Sequence, residues 1–246
     1  MQNILIIGAN SAIAKACARH YAAAACHLYL LGRDKRKLEI QEGDLSVRGA
    51  KKVDLAVLDS DSLDEQQSAL EQAKKTLGVI DLVLICHGVL PDQQRCENDF
   101  SYALQQFHTN TTSTLSLLNL LAPMMSEQGK GTIAVITSVA GDRGRQSNYY
   151  YGASKGAVSI FIQGLRGKLF SKGISVIDIK PGFVDTPMTN EIEKGGPLWS
   201  TPERVAQSIT KGIDKGKPCI YAPGYWRYIL LVVRLVPEFI FKRLKL

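Results

Sequence analysis

The run from Tyr151 to Lys155 pairs a phenol with an ammonium at a spacing suited to proton transfer. On a helix, Tyr151 and Lys155 lie four residues apart and share one face. A phenol normally titrates near pH ~10, and a nearby positive charge lowers that pKa toward the range useful for acid–base catalysis. Ser138, thirteen residues upstream, can hold a substrate oxygen where negative charge develops. A Tyr-x-x-x-Lys spacing is common by itself, so its meaning depends on the elements around it.

Short apolar runs that alternate with segments of helical period must position these residues. The runs are rich in Val, Ile and Leu and cover residues 3–7, 27–31, 52–57, 82–86, 131–137 and 174–180. Such runs are typical of parallel strands buried on both faces, and their alternation with helices predicts an α/β fold with a doubly wound parallel sheet. A further helix is expected to begin at Thr201-Pro202-Glu203, and the polar stretch 187–200 before it is a candidate substrate lid.

A glycine turn follows the first predicted strand and leads into a helix. Its residues are Gly8, Asn10, Ser11, Ala12 and Ile13. A strand, a tight turn and a helix N-terminus together direct backbone N–H groups and the positive end of the helix dipole at a pyrophosphate. Alanine replaces the second and third glycines of the usual dinucleotide fingerprint, so an ordinary turn between a strand and a helix is the alternative.

The end of the second strand bears on the choice of cofactor. An acidic residue there would bind the ribose 2′-hydroxyl of NADH, whereas this chain has Gly32 followed by Arg33. A guanidinium suits a 2′-phosphate, which predicts NADPH in preference to NADH without excluding NAD. Asp34 weakens this inference, and a solvated charge on a loop is the alternative interpretation.

In this order, the motifs resemble those of the short-chain dehydrogenase/reductase family over nearly the whole chain. The matching motifs also include Leu58-Asp59, Gly88, Asn110 and the run Pro181-Gly182-Phe183-Val184-Asp185-Thr186. The resemblance implies a single NAD(P)-binding Rossmann catalytic domain over residues 1–246 that transfers hydride between a nicotinamide cofactor and a carbonyl or alcohol. The catalytic residues would be Asn110, Ser138, Tyr151 and Lys155. The cofactor-binding residues would be Gly8, Asn10, Ser11, Ala12, Ile13, Arg33, Asp59, Ser60, His87, Gly88, Tyr151, Lys155, Pro181, Gly182, Val184 and Thr186.

The resemblance also implies individual roles. Asp59 would meet the adenine amino group, Asn110 would hold a water that relays protons to Lys155, and Val184 and Thr186 would bind the nicotinamide carboxamide. Cys86-His87-Gly88 departs from the family's usual Asn-Asn-Ala-Gly. His87 is therefore either a wall of the cofactor pocket or a packing and backbone-bonding residue.

Residues 225–246 combine aromatic, aliphatic and basic side chains and predict an amphipathic C-terminal helical segment. Arg227, Arg234 and Pro237 interrupt any membrane-spanning run, which leaves a helix lying in a membrane interface, or one that closes a subunit interface or the substrate pocket. Together with residues 87–90 and 147–152, this segment resembles the mycobacterial decaprenylphosphoryl-2-keto-ribose reductases. That resemblance implies a polyprenyl-phosphate-linked 2-keto pentose as substrate and a flavin oxidase as partner.

Composition narrows the remaining classes. The net charge is +7, but no basic block is interleaved with aromatics, so no nucleic-acid partner is expected. The five cysteines are dispersed without metal-binding spacing, which indicates a reducing compartment and no metal site. Because the chain starts directly with a strand pattern, we expect a cytoplasmic protein, peripheral at the inner membrane surface if the closing segment binds lipid. We also expect a homo-oligomer. The alternatives are a reductase of small ketones or 3-oxoacyl chains, and a cofactor-sensing binding protein without turnover.

Overall fold

In the computed structural model, which describes residues 2–244, the strands occupy the positions that the apolar runs predict. The main-sheet strands are β1 (Asn3–Ile7), β2 (His27–Gly32), β3 (Lys52–Val57), β4 (Leu82–Ile85), β5 (Gly131–Ile136), β6 (Ile174–Pro181) and β9 (Cys219–Ala222). They pair in parallel in the order β3-β2-β1-β4-β5-β6-β9. A small second sheet joins β7 (Phe183–Val184) to β8 (Trp199–Ser200).

Helices cover both faces of the main sheet. The α-helices are α1 (Ala12–Ala23), α2 (Lys35–Val47), α3 (Leu63–Leu77), α4 (Gln93–Asn98), α5 (Phe100–Phe107), α6 (Ser113–Gln128), α7 (Tyr149–Phe170), α8 (Pro202–Asp214), α9 (Trp226–Leu235) and α10 (Glu238–Phe241). A π-helical turn over His108–Thr112 precedes α6, and 3₁₀ turns cover Val139–Asp142 and Pro187–Thr189. Among residues 2–244, no helix is both long and apolar enough to cross a bilayer.

The alternation of side chains along β1 shows why two helical layers are needed. Ile4 and Ile6 join a core with α1 and α8, whereas Leu5 and Ile7 join a core with α3, α6 and α7. Successive side chains of a strand point to opposite faces, so a continuously apolar strand must be covered on both sides. The doubly wound α/β fold is therefore confirmed, and the six predicted strands are present with ends that differ by at most one residue.

Three short strands and the C-terminal segment differ from the prediction. Strands β7, β8 and β9 were not predicted, because each has at most four residues. The C-terminal segment forms two helices instead of one, since Pro237 cannot continue the hydrogen-bond pattern of α9 and Val236 before it is extended. Residues 245–246 of that segment and Met1 lie outside the described residues, and the single domain over 1–246 stays a prediction.

The start of α8 is confirmed, with the Thr201 hydroxyl accepting the Arg204 N–H at 3.3 Å.

Helix α9 packs through one face onto the sheet edge. Trp226 and Leu230 form a small core with Val139, flanked by Phe183. Leu230 is fully buried, whereas the next residue, Leu231, is 56% exposed.

This difference predicts opposite effects for two neighbouring leucines. Leu230→Ala should lower the free energy of unfolding by about 2–5 kcal/mol, because it leaves a cavity in the small core. Leu231→Ala, the matched control, should change it by less than about 0.5 kcal/mol. Chemical denaturation of both variants measures the difference, and equal losses would contradict the packing of α9 described here.

Candidate active site

A cavity of about 590 Å³ opens at the carboxyl edge of the main sheet. Strand β1 lies between β2 and β4, so the chain winds in opposite directions from this point and leaves a crevice above the strand ends. All of the predicted cofactor-binding residues border this cavity, together with Ser138. Asn110 is the exception among the predicted site residues: it is buried behind the cavity wall.

The glycine turn has the shape that a pyrophosphate requires. Gly8 has φ +76°, and a Cβ there would lie 2.5 Å from the backbone nitrogen of His87, so only glycine fits. The Ser11 hydroxyl accepts the Ala14 N–H at 3.2 Å and caps α1, whose N-terminus borders the cavity. The turn therefore fits the phosphates of a dinucleotide. The positive end of the α1 dipole and the N–H groups of its first turn lie beside Gly8, which has no side chain to block a ligand.

The two charged residues of the turn after β2, Arg33 and Asp34, have different surroundings. Asp34 caps α2 by accepting the Lys37 N–H at 3.0 Å, and its other carboxylate oxygen lies 3.2 Å from Lys37 Nζ. Arg33 is exposed and borders the cavity. A Cβ at Gly32 would lie 2.5 Å from the side-chain oxygen of Asn10, so a larger residue at the tip of this strand would have to displace the Asn10 side chain. Asp34, which weakened the prediction of NADPH, therefore caps α2, and Arg33 is the charged residue of this turn that borders the cavity.

Ser138 follows β5 and begins the 3₁₀ turn, where its hydroxyl accepts the Ala140 N–H at 3.1 Å. A buried polar network beneath it joins the ends of three strands. Lys180 of β6 is bonded to Asp142 and lies 3.4 Å from Asp178, and the Tyr221 hydroxyl of β9 donates to Asp142 at 2.7 Å. Burial alone would lower the pKa of Lys180, but the two carboxylates outweigh it and raise that pKa.

Tyr151 and Lys155 lie on the first turns of α7, and both border the cavity. The Lys155 ammonium donates to the Ile136 carbonyl at 3.3 Å and lies 5.9 Å from the centre of the Tyr151 ring. A Cβ at Gly88 would lie 3.0 Å from this ammonium, so the glycine leaves room for the lysine side chain.

In the protein without cofactor, Lys155 does not lower the Tyr151 pKa as expected, and the lowering by a bound nicotinamide ring stays a prediction. Burial raises the pKa of Tyr151 to about 12, and the hydrogen bond from Ser138 only partly opposes this shift. Burial also lowers the pKa of Lys155 to about 8, because removing either charged form from water is costly. Tyr151 therefore holds its proton at neutral pH and is ready to act as an acid.

Asn110 occupies the π-helical turn and uses its side chain to hold a loop. Its amide oxygen accepts the Val89 N–H and its amide nitrogen donates to the Val89 carbonyl, both at 2.9 Å. These two bonds fix the Asn110 side chain against the loop that carries Val89. The water relay to Lys155 stays a prediction.

His87 borders the cavity and also binds helix α6. Its Nε2 lies 2.8 Å from the Ser113 hydroxyl and 3.0 Å from the Thr114 hydroxyl. Burial lowers the pKa of His87 to about 3, so the ring is neutral at physiological pH. His87 therefore both forms part of the cavity wall and holds helix α6. Its hydrogen bonds go to side chains and not, as expected, to the backbone.

Several residues that border the cavity were not among the predicted site residues. They are Val89, Leu90, Arg145, Asn148, Phe183, Met188 and Ile192. Met188 and Ile192 fall in the stretch proposed as a lid. Arg145 and Asn148 stand between Ser138 and Tyr151 in the chain, and that position was the available signal.

Comparison with known proteins decides the family. Residues 2–196 match the family described as short chain dehydrogenase. The chain belongs to the short-chain dehydrogenase/reductase family. An uncharacterized oxidoreductase of Mycobacterium tuberculosis is 33% identical over 98% of this chain and 96% of its own length, and one of Streptomyces coelicolor is 34% identical over 99% and 96%.

Solved structures of short-chain dehydrogenases/reductases share the fold. Actinorhodin polyketide ketoreductase, determined with NADPH, superposes with a TM-score of 0.81 at 22% identity, covering 92% of this chain and 97% of its own. A short chain dehydrogenase of Burkholderia cenocepacia in complex with NADP gives a TM-score of 0.83 at 20% identity, covering 99% and 98%. The protein is an NAD(P)-dependent oxidoreductase that acts on CH–OH groups.

The geometry assigns a task to each polar side chain at the reacting end of the cavity. When bound, the nicotinamide cofactor supplies or accepts the hydride. We expect the Ser138 hydroxyl to donate a hydrogen bond to the substrate oxygen and the Tyr151 phenol to exchange its proton with that oxygen. We expect Lys155, which is charged below pH about 8, to bind the ribose of the cofactor.

Tyr151→Phe should lower kcat by about 10²–10⁴-fold, because it removes the acid and leaves the cavity shape nearly unchanged. Affinity for the cofactor should stay within about twofold, as measured by calorimetric titration. Tyr150→Phe is the matched control and should retain wild-type turnover. A rate near that of the wild type in Tyr151→Phe would disprove this role for the phenol.

Proposed function

We propose that this short-chain reductase uses NADPH to reduce the 2-keto group of a pentose linked to a polyprenyl phosphate. The observation that carries the substrate part of the proposal is the exposed apolar and basic surface of α9 and α10, of which α9 packs its buried side against Phe183 in the cavity lining. The raised pKa of Tyr151 supports the direction of reaction. A phenol that keeps its proton at neutral pH serves the reduction of a ketone better than the oxidation of an alcohol.

Two features support NADPH over NADH. Arg33 borders the cavity, while Asp34 does not and is bonded to the N-terminus of α2. The solved structures with the same fold were determined with NADPH or NADP. A guanidinium beside the adenosine ribose pairs with a 2′-phosphate and has no equivalent partner in NADH.

The C-terminal helices, α9 and α10, support a lipid-linked substrate. Large apolar side chains on this surface are strongly exposed: Tyr228, Leu231, Val232, Leu235, Phe239 and Ile240. The first four recur at helical spacing and form one face of α9, flanked by exposed Arg227 and Arg234. An apolar face bordered by cations fits an anionic lipid surface, which supports a location at the cytoplasmic face of a membrane.

The same helices also contact the substrate wall. The Trp226 ring packs edge-on against Phe183 at 5.4 Å between centroids, and Phe183 borders the cavity. A substrate with its tail in the membrane would present its sugar to the cavity from this side. We further propose that a flavin oxidase at the same membrane makes the ketone.

A homo-oligomer is a further part of the proposal. Phe100 and Leu104 on α5 and Ile160 on α7 are more than half exposed. Apolar side chains exposed on two adjoining helices suit contact with a second copy of the chain.

Arg33→Gln should reduce kcat/KM for NADPH by about 10–100-fold, because a charge-assisted pair contributes about 1.5–3 kcal/mol. Activity with NADH should change little, because NADH lacks the 2′-phosphate. Arg36→Gln, which alters a neighbouring exposed charge that does not border the cavity, is the control. Equal losses with both cofactors would disprove the role of Arg33 as the 2′-phosphate ligand.

The purified enzyme should oxidise NADPH when vesicles supply a polyprenylphosphoryl 2-keto pentose made in situ by a flavin oxidase. Tyr151→Phe should abolish this signal. Turnover of small ketones or 3-oxoacyl chains without turnover of the lipid would favour the alternative reductase. Cofactor binding without reduction of any carbonyl would favour a binding protein.

The surface of α9 supplies the matched control for this assay. Deleting residues 225–246 would remove the buried Trp226 and Leu230, so substitutions on the exposed face are preferable. Leu231→Asp combined with Leu235→Asp should reduce turnover of the vesicle-bound substrate while the protein stays folded. Phe170→Asp, at a still more exposed apolar residue on α7, should leave turnover unchanged.

A further inference from the structure

Arg145 lies on the loop between Ser138 and Tyr151 and borders the substrate side of the cavity. Its backbone carbonyl accepts the Asn148 N–H at 3.2 Å, and the Asn148 carbonyl accepts the Gly152 N–H at 2.8 Å. Two consecutive bonds therefore fix Arg145 relative to the first turn of α7, which carries Tyr151. A cation held so close to the catalytic phenol needs a physical explanation.

Within the described part of the chain, the Arg145 guanidinium has no hydrogen bond or ion pair, although it is largely shielded from water. Burial lowers its pKa, and the opposing Asp142 carboxylate is already bonded by Lys180 and Tyr221. Arg143, two residues earlier, shows the opposite behaviour. Its guanidinium donates to the Val233 and Val236 carbonyls at 2.6 Å and to Glu238 at 2.9 Å. An unpaired, partly desolvated cation is costly unless a ligand compensates it.

The position of Arg145 along the sheet edge separates it from the cofactor phosphates. Gly8 and Arg33 follow β1 and β2, whereas Arg145 belongs to the loop after β5, three strands away from β2 in the sheet order. Lys155 is the other cation at this end, and the reaction already uses it. Arg145 is thus the cation of the substrate side that the mechanism leaves without a task.

The surroundings of Arg145 define the ligand further. Asn148 borders the same cavity, and its side-chain oxygen is buried without a hydrogen-bond partner. A sugar hydroxyl is a suitable donor for that oxygen. The apolar side chains of Leu90, Met188 and Ile192 border the rest of this side and suit the first carbons of a lipid tail.

We infer that Arg145 binds the phosphate of the substrate, an inference that rests on the proposed function. A guanidinium presents paired N–H donors that match two phosphate oxygens. Arg145 then selects ketones that carry a phosphate at a fixed distance from the carbonyl, and Asn148 accepts a hydroxyl of the sugar between them. Neutral ketones lack the group that this cation requires.

A binding experiment on the protein saturated with NADPH separates this site from the cofactor phosphates. The probe is n-octyl phosphate, compared with neutral n-octyl glucoside below its critical micelle concentration and with inorganic phosphate. We expect octyl phosphate to bind the wild type and to bind Arg145→Gln at least about tenfold more weakly, since a charge-assisted pair is lost. Arg145→Lys should recover part of the affinity, and octyl glucoside should not distinguish the variants.

Arg204→Gln removes an exposed arginine on α8, far from the cavity lining, and is the charge-matched control. Equal binding of octyl phosphate to the wild type and Arg145→Gln, or no binding to the wild type, would overturn the inference. Inorganic phosphate that binds as tightly as octyl phosphate would overturn the lipid-linked source of the phosphate. Because the readout is binding, failure of the lipid ketone in the turnover assay would leave this result interpretable by itself.

Discussion

The Lys180 ammonium lies between two carboxylates at the point where strands β5, β6 and β9 end. Ser138 continues from β5 and the Pro181–Thr186 loop continues from β6, so this cation and its two carboxylates tie together two segments that border the cavity. Buried ion pairs add little net stability, but loss of one partner typically costs about 3–5 kcal/mol because a charge is left uncompensated. The network is therefore better understood as a geometric constraint on the active site than as a source of stability.

Local sequence patterns were sufficient for the elements that are long and continuously apolar. Strands β1 to β6 follow from runs of Val, Ile and Leu, and α8 follows from Thr201 and Pro202 at its start. Strand β9 has four residues between two prolines and gains its definition from pairing with β6, which is a tertiary effect. The break between α9 and α10 follows from Pro237, whose effect on a spanning helix was anticipated but whose effect on the continuity of the segment was not.

The spacing of residues along the sequence predicted only part of the chemistry of the site. The positions of Tyr151, Lys155 and Ser138 around one cavity follow from motif order, because parallel strands end at a common edge. The direction of the Tyr151 pKa shift does not, since it depends on how much water surrounds the ring. Likewise, the sequence presents Arg143 and Arg145 as two similar basic residues, and only the three-dimensional structure shows that the first is fully bonded and the second is not.

Arg33 and Arg145, at opposite ends of the cavity, are proposed to bind two different phosphates. Arg33 lies beside the phosphate turn and Arg145 beside the catalytic turn, with Lys155 between them. Under the proposed function, the phosphates of the cofactor and of the substrate have to be kept apart, and cations on two separate loops would do this. The net charge of +7 is in keeping with such a site.

The contact between Trp226 and Gly182 has an optical consequence. The chain contains two tryptophans. Trp226 packs so closely on Gly182 that no Cβ fits there, and Trp199 stacks on Phe183 at 5.5 Å between ring centroids. The whole tryptophan emission of the protein therefore originates beside the loop that faces the cofactor. Intrinsic fluorescence of the unmodified enzyme is thus a direct reporter of that loop.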